Sequence, residues 1–214
     1  DAYDPRALAS RRDLGRINRI MRQQAIMAGQ LRTACAAPRL LVDLGAGDGR
    51  FMLGVARRLD WRGVHVILAD MKDAVGAGTR ADFNKLGWTC ETATGDVFDI
   101  LQSPVHADAI TANLFLHHFE NGELARLLRL VASQAAGFVT CEPRRSAFAV
   151  LGARLVFMLG ANDVSRHDAL ASVRAGFAGR DLSSLWPKSA DWQINERGVF
   201  PFTHLFMAER HHAP

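Results

Sequence analysis

The stretch LVDLGAGDGRF, residues 41–51, ends an apolar run in an acid and then sets Gly45, Gly47 and Gly49 at alternate positions. Glycines so spaced let the backbone turn sharply and approach a ligand without interference from Cβ. The helix start that follows offers unpaired N–H groups. Two further acids stand at the ends of later apolar runs. Asp70 closes VHVILAD, where a carboxylate would accept hydrogen bonds from both hydroxyls of a ribose, and Asp96 in TGDVFD would accept from an adenine amino group. The third glycine comes one position early for the dinucleotide pattern G-x-G-x-x-G, because Arg50 stands where that pattern wants glycine or alanine. Three histidines could move a proton: His118 in ITANLFLHHF, His167 in SRHDA and His204 in FTHLF. An imidazole with a pKa near ~6.5 suits the removal of a proton from a phenol of pKa ~10. Each has a plainer reading. His118 could fix its loop, His167 could accompany Asp168 as the N-cap of DALASVRAGF, and His204 could be a packed strand residue.

These residues need a scaffold that brings strand ends together. The apolar runs predict strands near 39–44, 64–69, 88–93, 107–114 and 137–142, with helices near 49–60, 71–86, 97–103 and 121–135 between them. Strands alternating with helices pair in parallel through right-handed crossovers, which gives an α/β, doubly wound sheet covered on both faces. Ligands of such a sheet sit beyond the carboxyl ends of its strands. Residues 144–186 read as helical around the loop GANDVSRHD, and DWQINERGVFPFTHLFMAER reads as a closing hairpin, for seven strands in all. Before residue 39, Leu14, Ile17, Met21, Ala25 and Ala28 form one helical stripe, with Arg12, Arg16, Arg19 and Gln23 on another. The expected division is an N-terminal helical arm or lid over 1–38 and one domain over 39–214, with a helical insertion at about 144–188 that shapes an acceptor pocket.

Taken together, these residues resemble the class I, Rossmann-like S-adenosylmethionine-dependent methyltransferases. DLGAGDG fits that family's acid-x-Gly-x-Gly-x-Gly motif position by position, over a match running from about Leu40 to Glu142. The resemblance implies that Asp43, Gly45, Gly47 and Gly49 surround the methionine part of the donor. It implies that Asp70 and Met71 hold the ribose side, that Asp96 and Val97 hold the adenine, and that Asn113 lies near the sulfonium. A donor without phosphate tolerates Asp43 beside the turn, where a pyrophosphate would be repelled. CEP at 141–143, followed by EPRRS, RHDA, LWP and FTHLF, is similar to the small-molecule branch acting on quinones, polyketides or phenolic lipids. That likeness implies O-methylation of a phenol or quinol, S-adenosylhomocysteine as product, His118 and His167 as candidate catalytic groups, and Arg145 and His204 as candidate acceptor ligands.

Composition bounds the alternatives. The chain has 214 residues, 49% hydrophobic and 22% charged, which suits one soluble domain. Its net charge of +4 is concentrated before residue 40, where eight Arg face three Asp. An Arg-rich arm leaves open an RNA-modifying enzyme, but the near-neutral remainder makes nucleic acid an unexpected partner. A non-catalytic S-adenosylmethionine-binding partner protein is the other alternative. A homodimer through the N-terminal helix is a further expectation. Cys35, Cys90 and Cys141 are odd in number and scattered, which argues for a reducing compartment and a cytoplasmic protein. No apolar run approaches the ~20 residues of a transmembrane helix. No metal is expected, since the histidines lack ligand spacing and the fourth strand ends in Asn113, Leu114 and Phe115 rather than in carboxylates.

Overall fold

The computed structural model describes residues 22–35, 38–146 and 174–211. The strands are β1 (Leu40–Leu44), β2 (His65–Asp70), β3 (Thr89–Thr94), β4 (Ala107–Asn113), β5 (Ala135–Pro143), β6 (Trp192–Val199) and β7 (Thr203–Arg210). They form one seven-stranded sheet in the order β3-β2-β1-β4-β5-β7-β6. The first five strands pair in parallel, and β7 runs antiparallel to both β5 and β6. The expected doubly wound sheet with a terminal antiparallel hairpin is therefore the fold observed.

The helices are α1 (Gln23–Ala34), α2 (Arg50–Ala56), α3 (Ala77–Lys85), α4 (Val97–Gln102), α5 (Asn121–Gln134) and α6 (Asp181–Leu185). Alternation along each strand splits the core into two layers. One face packs Val42, Leu44, Ile110, Phe138 and Phe206 under α4, α5 and α6. The other packs Leu41, Val66, Leu68, Val139 and Leu205 under α1, α2 and α3. Helix α5 shows why such segments are helical: Leu124, Leu127, Leu128 and Val131 recur at helical spacing and are all buried. Each of these side chains stabilises the fold by roughly 1.5–3 kcal/mol.

Three sequence expectations change. The segment 71–86 is helical only over Ala77–Lys85. Before it, Asp70 accepts from Lys72 N–H and Asp73 accepts from Val75 N–H, and such local turns compete with a helix for the same backbone groups. Residues 144–186 were expected to be helical. Among those described, Arg144 instead bridges to Phe177 in parallel, while residues 174–175 and the short α6 are helical. The arm is also rotated from its expected face. Gln23, placed on the polar stripe, is buried with Met27, Ala28, Leu31 and Ala34, whereas Ala25 is exposed. This face of α1 packs on β5, β7 and α2. The rest of the arm, residues 1–21, lies outside the described residues, as does most of the insertion expected to shape the acceptor pocket.

Candidate active site

The glycine turn lies where the β1 tip meets α2. Gly45, Gly47 and Gly49 all adopt left-handed backbone, with φ of 67°, 58° and 73°. This conformation disfavours other residues. The turn is tied to the neighbouring strand by Ala46 N–H donating to the Ala69 carbonyl at 3.1 Å. Gly49 also serves packing, since a Cβ there would stand 2.7 Å from Leu68 Cδ1. A Cβ at Gly45 would overlap the Phe115 ring, whereas one at Gly47 would meet no heavy atom within 4 Å. Gly47 is thus the point at which the backbone lies open to a ligand.

Asp70 closes β2 beside this turn. Its Oδ2 accepts from Gly47 N–H at 2.9 Å, so turn and carboxylate are held together. Met71 follows with 66% of its surface exposed, an apolar side chain presented at the strand end. Asp96 caps α4, accepting from Phe98 N–H at 2.8 Å, and Val97 is buried behind it. The carboxylates expected to hold a ribose and an adenine thus stand at the tips of β2 and β3. An open glycine, an acid fastened to it and an exposed apolar shelf fit a nucleoside without phosphate.

Asp43 is 2% exposed and accepts from the Thr111 hydroxyl at 2.7 Å. Burial pushes its pKa up to about 7, with the Thr111 hydrogen bond working against that rise and the nearby Asp70 charge adding to it. The folded protein therefore holds this proton more tightly than the unfolded chain, whose Asp titrates near 3.8. The burden of a buried carboxylate is present above pH 7 and is relieved as pH falls from 7 toward 4. A shift of this size corresponds to roughly 4 kcal/mol. Asp43→Asn keeps the oxygen that accepts from Thr111 and should unfold at higher urea than the native chain at pH 8. At pH 4 the two should nearly coincide. Parallel curves at both pH values would show that Asp43 does not titrate in this range.

The loop after β4 depends on Glu142, which is completely buried near the end of β5. Its Oε1 accepts from Phe115 N–H at 3.0 Å, Leu116 N–H at 2.9 Å and the Thr140 hydroxyl at 3.1 Å. Its Oε2 meets His117 Nδ1 at 2.8 Å. The loop starts from Leu114 in left-handed backbone, with φ of 52°, a conformation that must be held by its surroundings. The His118 ring lies over that of His117, with centroids 4.2 Å apart. Partial burial and the neighbouring His117 hold the His118 pKa below its ordinary value, while Glu142 pulls the other way. Asn113 ends β4 opposite Cys141. Burial, and then the Glu142 charge, raise the Cys141 thiol, which makes it inert as a nucleophile.

Two candidate acceptor ligands are engaged elsewhere. The Arg145 guanidinium pairs with Asp181 at 2.8 Å at the surface. His204 is 1% exposed, and its Nε2 meets Glu196 Oε1 at 2.7 Å. Glu196 in turn accepts from the Leu182 and Ser183 amides, so His204 fastens β6 and β7 to α6. Both candidate acceptor ligands thus have a carboxylate partner within the protein. His167 lies outside the described residues. Sequence reasoning missed Glu142 and His117 as a pair, and it missed Thr111. Thr111 could have been found, because residues two apart on β4 share a face.

Residues 41–135 match a family model described as a methyltransferase domain. Among solved structures, the plantazolicin methyltransferase BpumL, in complex with SAH, superposes with a TM-score of 0.68 at 13% identity, over 98% of this chain and 92% of that one. Magnesium protoporphyrin IX methyltransferase of Synechocystis PCC 6803, with bound SAH, gives 0.56 at 14% identity, over 89% and 83%. An O-methyltransferase family protein of Burkholderia thailandensis gives 0.57 at 17% identity, over 89% and 57%. At such identities the likeness is one of fold. This chain spans 54–57% of the length of several structures it matches. No curated protein sequence matches it. The strand order gives the chain a Rossmann-like methyltransferase fold, and the glycine turn lies within the residues that match the methyltransferase-domain model. Among the described residues no helix is long and apolar enough to cross a membrane.

Proposed function

We propose that this chain transfers a methyl group from S-adenosylmethionine to an oxygen of an aromatic or lipophilic small molecule, with a phenol or quinol as the type acceptor. The observation that carries this reading is the Glu142–His117–His118 arrangement at the tip of β4, joined to the donor turn through Phe115 against Gly45. When bound, the donor supplies a methyl group already activated on a sulfonium, so the chain's main contribution is alignment. Asp70 and Asp96 fix the nucleoside end, and Asp43 with the glycine turn receives the amino-acid end. Glu142 accepts from His117 and from two loop amides, which sets the height and angle of the His118 ring. A neutral His118 then takes the proton from the acceptor hydroxyl as its oxygen is methylated.

The structural neighbours support the small-molecule part of this reading. Their names tie them to a porphyrin and to plantazolicin rather than to nucleic acid. A screen of phenols, quinols and tRNA with radiolabelled S-adenosylmethionine tests it directly. Label in phenols or quinols is the expected result, and label in tRNA alone would overturn it. His118→Ala should lower turnover by about 10²–10⁴-fold, the range for a lost general base. Affinity for S-adenosylhomocysteine should stay within about twofold. The acid limb of the native pH–rate profile should fall below pH 6.5, the ordinary histidine value, because His118 is shifted downward. A profile flat through that region would remove His118 from the reaction.

A further inference from the structure

Among the described residues, Gln23 and Thr203 are both 0% exposed, and neither the Gln23 amide nor the Thr203 hydroxyl finds a hydrogen-bond partner within the protein. Buried polar groups in folded proteins are nearly always paired, so these two orphans need an explanation. Both belong to one face of the sheet, as the packing of their elements indicates. Thr203 stands opposite Pro143 at the carboxyl end of β5, and alternation along β7 puts it on the face of Leu205 and Met207, the face that α1 covers. Helix α1 descends this face, since a Cβ at Gly137 near the foot of β5 would meet Ala34 Cβ at 3.8 Å. Gln23 stands eleven residues earlier, which raises it by about 16 Å, most of the ~20 Å climb from Gly137 to the end of β5 at Pro143. The neighbouring Gln24 lies against Gly54 of α2, and the buried face of α1 turns Gln23 toward the sheet.

The two orphans therefore lie over β5 and β7, one to two strands beyond β4. The donor carboxylates lie on the other side, at β2 and β3. The buried cluster on this face of the sheet includes Met27, Ala46, Met52, Cys141 and Leu205, all apolar or inert. We propose that Gln23 and Thr203 bind an uncharged oxygen of the acceptor, a carbonyl or a hydroxyl, inside this apolar surround. The proposal rests on the acceptor reading above and names the chemistry that the far side of the site selects. An amide and a hydroxyl each both donate and accept, so they suit a neutral oxygen of either kind and offer no charge to a carboxylate or phosphate. They also discriminate, because a site built to hydrogen-bond an oxygen rejects an analogue lacking one.

The test uses the full chain saturated with S-adenosylhomocysteine, with phenol, cyclohexanone and toluene as probes. Gln23→Met and Thr203→Val remove the polar atoms at nearly constant volume. Each variant should retain its affinity for S-adenosylhomocysteine and should melt no lower than the native chain, since an unpaired polar group has been taken away. The native chain should bind phenol and cyclohexanone at least about tenfold more tightly than toluene, the scale of one buried hydrogen bond. Each variant should lose that preference. A variant that still prefers the oxygenated probes would overturn the proposal, and so would a native chain indifferent to all three. A large drop in melting temperature would also overturn it, by making both groups structural. Failure of the native chain to bind S-adenosylhomocysteine is a separate result, which would remove the donor reading instead.

Discussion

Replacing Asp70 with alanine is expected to weaken S-adenosylhomocysteine binding by on the order of 10²–10⁴-fold, with little change in the melting temperature. The magnitude follows from two charge-assisted hydrogen bonds to a ribose, each contributing about 1.5–3 kcal/mol. The carboxylate also holds Gly47 N–H at 2.9 Å, so its removal loosens the turn that borders the donor. Asp70→Asn keeps an oxygen for Gly47 and should fall between the two, which separates lost charge from lost turn geometry. Calorimetric titration reads both. The residue is part-exposed at a strand end, so the fold should not depend on it. If Asp70→Ala binds S-adenosylhomocysteine as the native chain does, the nucleoside does not lie at β2.

Glu142 should behave in the opposite way, with stability affected first. Glu142→Leu would leave the Phe115 and Leu116 amides, the Thr140 hydroxyl and the His117 ring without their common acceptor. Each buried group so stranded costs about 1–3 kcal/mol, so a total of roughly 4 kcal/mol or more is expected even with partial relaxation. Glu142→Gln keeps one oxygen for the two amides and should lose much less. Its amide cannot carry the charge that faces His117, however, so its turnover should still drop and its pH–rate profile should shift. Urea unfolding measures the first effect, and the pH profile measures the second. Equal unfolding curves for native protein and the leucine variant would mean that the loop after β4 is held by something else.

The parts of this molecule written in periodic patterns were legible before any coordinates. The apolar runs marked the central strands β1, β2, β4 and β5 to within one or two residues, because a strand buried on both faces is continuous in sequence. The glycine turn was legible because left-handed backbone at three alternate positions leaves few residue choices. Pairings between distant side chains were not legible. Arg145 with Asp181, His204 with Glu196 and His117 with Glu142 span 36, 8 and 25 residues, and no spacing rule links such partners. Helix α1 was misread because its stripe is drawn partly in alanines. Alanine is content on either side of a helix, so it constrains rotation weakly, and Gln23 was left on the wet side.

The contact between Gly45 and Phe115 makes two chain positions 70 residues apart share a single volume. One carbon added at 45 has to be matched by carbons taken away at 115, so these positions should drift together under selection rather than separately. Anyone wishing to admit a bulkier guest should trim the ring and leave the glycine alone. Enlarging the glycine would spend the vacated room on the protein itself.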